Sequence, residues 1–96
     1  MASRVTIYGL SKQKETERIR KELDELSLTY NFYDVKKQPQ ALTRLASLDE
    51  DTKYFPKVEV ECANRSGVVL LTNPDSETLR QTLYAEDVLG VTSFWI

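Results

Sequence analysis

Within the first 48 residues the spacing of apolar side chains changes period three times, and this change constrains the fold more than any overall property of the chain. Residues 4–8 alternate polar and apolar side chains with β-branched types among them, and Gly9 ends the run, which predicts a strand. From Ser11 the period lengthens. Ile19, Leu23 and Leu26 recur at helical spacing among Lys, Arg and Glu, predicting a one-faced helix over residues 12–27, with Glu17 and Lys21 a favourable pair on its polar side. "LTYNFYDV", residues 28–35, is aromatic and β-branched and predicts a second strand. "KKQPQ" then breaks the chain before a short helix over residues 40–48. Strands alternating with helices in this order imply a right-handed crossover and a parallel strand pair, hence an α/β class.

The second half departs from strict alternation of element types. Pro56 opens "KVEVEC", where Val58, Val60 and Cys62 point one way and Lys57, Glu59 and Glu61 the other, so one sheet face is expected to be partly wet. "ANRSG" turns the chain and "VVLLT", residues 68–72, returns it as the second arm of an antiparallel hairpin. A last helix follows in "NPDSETLRQTLY". Asn73 is read as its N-cap and Pro74 as its first residue, with Asp75 and Glu77 at the positive end of the helix dipole and Leu79 and Leu83 facing the core.

Chemistry is limited by what is missing. The chain has no histidine and one cysteine, Cys62, which weighs against zinc hydrolysis, histidine-assisted nucleophiles and dithiol exchange within one chain. Thirteen basic and fifteen acidic residues are interspersed, giving a formal charge of −2 and no basic stripe for nucleic acid. The longest apolar run, "VVLL", is far short of a bilayer span, and "MASRVTIY" lacks the apolar core of a signal peptide. A single cytoplasmic domain without nucleic-acid or membrane partners is the expectation from the 96 residues.

The order β-α-β-α-β-β-α, with a proline opening the third strand, resembles the thioredoxin fold in its glutaredoxin form: a four-stranded mixed sheet flanked by helices. "VTIYGLS" resembles the first glutaredoxin strand and its loop, and "RIRKELDEL" the helix that follows the active-site cysteines. "YNFYDV" resembles the second strand and "YFPKVEV" the Thr-Val-Pro segment with its strand. "GVVLLTNPDSETLRQTL" is similar to the hairpin and last helix of mycoredoxin-type glutaredoxins. The resemblance covers residues 4–84 as a glutaredoxin-like domain and leaves 85–96 as a C-terminal extension.

Laid on the loop and helix start, the family's Cys-x-x-Cys motif falls on Gln13 and Thr16. The resemblance implies further that Pro56 is cis and that the backbone of Phe55 pairs with an extended peptide or with glutathione. Tyr54, Phe55 and Pro56 are thereby candidate ligand residues, beside a reading of "YFP" as core packing and strand initiation. Thr72 and Asn73, at the start of the last helix, are candidates for a carboxylate, against which stands the negative charge of Asp75 and Glu77. The basic residue that glutathione-using members carry three positions before the nucleophile corresponds to Leu10, and Lys12 is its stand-in.

Two functions follow from different classes. The first is a redox-inactive binding or regulatory module that offers its groove or its tail to a protein or peptide partner. The second is a thiol–disulfide oxidoreductase in cell redox homeostasis, using glutathione or the lone Cys62. A transferase reading, in which Ser11 activates glutathione, needs a helical second domain that the chain has no room for. Cys62 itself is read as a buried small hydrophobe, with Arg65 near enough in sequence to keep a reactive thiol open. The apolar end "AEDVLGVTSFWI" either folds back on its own domain or, as a β-prone edge, pairs with a second copy.

Overall fold

The computed structural model describes residues 4–47, 54–62 and 67–86. Seven elements follow in the order β1 (Val5–Gly9), α1 (Lys14–Glu25), β2 (Asn31–Asp34), α2 (Gln40–Ala46), β3 (Lys57–Glu61), β4 (Val68–Thr72) and α3 (Ser76–Ala85). The strands form one mixed sheet in the order β2-β1-β3-β4. β1 and β2 run parallel, and β1–β3 and β3–β4 are antiparallel. α1 begins two residues later than its periodicity predicts, and β2 keeps only the last part of the predicted strand.

Strand alternation divides the sheet into two unlike faces. On one, Val5 and Ile7 of β1 and Val58 and Val60 of β3 form a single cluster with Ile19 and Leu23 of α1 and Leu79 and Leu83 of α3. All eight are essentially without solvent contact, so each side chain carries roughly 1.5–3 kcal/mol of transfer free energy. This apolar layer fixes α1 and α3 side by side. A polar contact joins their seam, Arg80 Nε lying 3.8 Å from Glu22 Oε1.

The other face is covered by α2, whose Ala41 and Leu45 pack with Tyr8 and Val35. Here the wet part of the strand is confined to its end. Lys57 is fully buried and Glu59 nearly so, while Glu61 alone of the three is exposed. Strand alternation assigns a face but does not say whether a helix will cover it; α2 does, and the polar groups are hydrogen-bonded instead of hydrated. Tyr8 donates to Glu59 Oε1 at 2.7 Å, Arg44 reaches Glu59 Oε2 at 3.1 Å, and Lys57 Nζ donates to Thr72 Oγ1 at 2.9 Å. Burial, then the neighbouring Glu59 carboxylate, pushes the Tyr8 phenol up to about 12.

A second correction concerns the start of α3. Its N-cap is Asp75, which accepts a hydrogen bond from Thr78 N, and not Asn73. Asn73 instead takes a positive φ of 40° and donates its amide to Pro56 O at 2.7 Å, extending the β3–β4 pairing beyond the Lys57–Thr72 pair. Asparagine tolerates that left-handed turn, and helical geometry begins only after it. Cys62 follows β3, buried, its amide bonded to Gly67 O. Arg65 and the tail from residue 87 onward lie outside the described residues.

Candidate functional site

The loop after β1 turns into α1 beside two other loops, the one that follows β2 and the one that leads into β3. Leu10 O accepts the Gln13 amide, closing a turn, and Gln13 O accepts the Glu17 amide as the helix begins. Gln13 occupies the N-cap position in an extended conformation but makes no side-chain cap bond. Its Nε2 crosses the cleft and donates to Phe55 O at 3.1 Å. Its Oε1 accepts the Thr16 hydroxyl at 2.8 Å.

Thr16 is fully buried in the first turn of α1. It stands against Gly9, where a Cβ would come within 2.6 Å of Thr16 Oγ1 and 2.8 Å of Cγ2. The missing side chain at position 9 therefore makes the space that Thr16 fills. Gln13 and Thr16, three positions apart, are brought together and fixed from both sides.

Across the cleft, the Phe55–Pro56 peptide bond is cis. Phe55 is half-buried against the cluster of Tyr8, Val35, Ala41 and Leu45, and Pro56 is buried. Tyr54 is 63% exposed, the most open of the three residues in "YFP". Pro56 O is held by Asn73, and Arg18 of α1 donates to Pro74 O at 2.9 Å, with Asn73 Oδ1 at 3.4 Å. Lys12, Gln13, Phe55, Pro56, Thr72 and Asn73 thus converge on one end of the sheet, linked through Gln13, Asn73 and Arg18.

Sequence reasoning missed the residue that organises the adjoining depression, which encloses about 350 Å³ between the β1–α1 and β2–α2 loops. Asp34, at the end of β2, is buried. Both the amide and the hydroxyl of Ser11 donate to its Oδ2, and the amides of Lys36 and Lys37 to its Oδ1 at 2.9 and 3.4 Å. The Ser11 hydroxyl above all, with those amides, draws the Asp34 carboxyl down to about 2. An aspartate closing a strand just before two turn residues was the available signal. With its charge met from within, the exposed ammonium groups of Lys12, Lys36 and Lys37 dominate the rim.

Both carbonyls of the Phe55–Pro56 turn are thus engaged from within, by Gln13 and Asn73, and the lysine rim can attract an anion. Cys62 lies at the far end of β3 from Pro56, roughly 20 Å away at about 3.3 Å per strand residue. Among the described residues no helix is long and apolar enough to cross a membrane.

No model of a known protein family matches the chain, and no curated protein matches it either. Among solved structures it is similar to the crystal structure of a glutaredoxin from Archaeoglobus fulgidus, with a TM-score of 0.65 and 17% identity over 82% of this chain and 84% of that one. At this identity the likeness is one of fold: the chain has a thioredoxin-like fold of the glutaredoxin form.

Proposed function

We propose that this chain is a glutaredoxin-like recognition module without thiol–disulfide activity, and that its groove takes an extended peptide or protein segment bearing carboxylates. Glutathione, a short peptide with two carboxylates, is the smallest ligand of that class. Lys12, Gln13, Phe55, Pro56 and Asn73 line the groove in this reading, with Tyr54 and Thr72 at its edges. The mycoredoxin-type character of residues 67–83 belongs to the same proposal.

One observation carries the reading: at the start of α1, where the family's nucleophile falls by resemblance, a carboxamide hydrogen-bonds the carbonyl of Phe55. Thiol exchange needs a thiolate of lowered pKa at an accessible site. An amide cannot become one, and the Thr16 hydroxyl is buried and already engaged. The competing reading, an oxidoreductase working through Cys62, needs an accessible thiol, whereas this one is buried at the opposite end of the strand.

An amide-resolved NMR titration with reduced glutathione tests the groove. Shifts at Lys12, Phe55 and Asn73 that weaken as salt is added are the expected result. Silence at all three up to millimolar peptide contradicts it.

A further inference from the structure

Gln13 disagrees with its own position. A helix N-cap with extended backbone suits Ser, Asp or Asn, whose short side chains reach the amides of the first turn. Gln13 has that backbone, φ −75° and ψ 132°, yet no cap bond. Its carboxamide instead ties the first turn of its own helix, through Thr16, to the facing loop, through Phe55. Thr16, wedged under Gly9, holds the oxygen, and Phe55 O takes the nitrogen.

Phe55 O is an uncommon resource. Proline supplies no N–H at the next position, and Pro56 O is already paired with Asn73 inside the sheet. A segment laid along this turn in the manner of an added strand needs a backbone acceptor on the cleft side. The Phe55 carbonyl is that acceptor, and the Gln13 carboxamide holds it.

We propose that Gln13 is an internal occupant of the groove: its Nε2–H takes the side of Phe55 O that a partner's backbone N–H would use, so a segment binding there displaces it. This rests on the recognition reading above. Displacement exchanges one neutral hydrogen bond for another, so the occupant lowers the affinity of a partner by roughly 2- to 10-fold. The carboxamide is then free to turn back to the first-turn amides or to the bound segment.

The probe is S-methylglutathione, an extended peptide with two carboxylates and no free thiol. It is titrated into the native chain and into Gln13→Asn and Gln13→Ala. Asparagine keeps the amide but ends one methylene short, and it places a preferred cap residue on α1, so this variant folds. Both variants should bind the probe roughly 2- to 10-fold tighter than the native chain. Equal or weaker binding by the folded variants, with the native chain still binding, overturns the internal occupant and leaves the recognition reading standing. Absence of binding by all three overturns both. A second readout needs no variant: the hydrogen-bond scalar coupling between Gln13 Nε2 and the Phe55 carbonyl carbon should be present in the free chain and vanish at saturating probe. Its persistence at saturation overturns displacement.

Discussion

α1 and α3 lie against the same face of the sheet and share one apolar cluster, yet they begin in opposite ways. Asp75 caps α3 by accepting the Thr78 amide at 2.8 Å, and that bond, followed by the Thr78 hydroxyl and the charge of Arg18, holds its carboxyl below the usual range. Everything it needs lies within three residues or on the neighbouring helix. Gln13 caps nothing and reaches instead to a residue 42 positions further along the chain. The contrast teaches that neither the fold nor the core dictates the start of α1. A helix on this sheet can be closed locally, as α3 is, and α1 instead sends its N-cap side chain across to Phe55 O. Sequences break local rules where a site has other demands on the side chain.

The largest expected effect tests how tightly the start of α1 is wedged. Gly9→Ala places a methyl within 2.6 Å of Thr16 Oγ1, and overpacking of that kind costs about 1–3 kcal/mol in chemical denaturation. Adding Thr16→Ala removes the two nearest atoms and should recover part of the loss. If Gly9→Ala is as stable as the native chain, Thr16 is not wedged against Gly9, and the start of α1 differs from that of α3 only in the bonds of Gln13.

Asp34→Asn sharpens the cleft side of the comparison through pH. The Asp34 carboxyl moves from an ordinary 3.8 down to about 2 on folding, so its contribution to stability is complete above about pH 4 and is lost as the pH falls through about 2. The gap between native and variant denaturation midpoints should be widest near neutrality and close toward pH 2. A gap independent of pH across that window contradicts the assignment.

The two caps give the smaller effects. Asp75→Ala should lower the thermal midpoint by a few degrees, since the Thr78 amide loses its acceptor. Gln13→Asn should leave the midpoint unchanged or slightly raised, since a better cap replaces a contact across the cleft. A larger loss from Gln13→Asn than from Asp75→Ala would reverse the comparison and make Gln13 a structural residue first.

Periodicity made the elements legible. Ile19 and Leu23 at helical spacing and Val58 and Val60 at alternate positions are the apolar buried residues of α1 and β3, and the parallel pair and the hairpin are found, while the mixed four-stranded sheet was implied by the resemblance. What stayed hidden depends on tertiary company. Lys57 and Glu59 read as solvent-facing because nothing in "KVEVE" announces that α2 will cover them and that Tyr8, Arg44 and Thr72 will supply partners. Asn73 read as a cap because its residue type suits one; the pairing of its amide with Pro56 O takes it into a turn and passes the cap to Asp75. In the site, resemblance singled out positions 13 and 16, while the partners of Gln13 and the role of Asp34 depend on loops far apart in sequence.

The most direct test of the central claim is turnover of a mixed disulfide between glutathione and a small thiol by the purified chain, with and without alkylation of its cysteine. A first helical turn built for contact and not for sulfur chemistry predicts no rate above the uncatalysed reaction in either sample. Sustained turnover that disappears on alkylation would contradict it and assign the chemistry to Cys62.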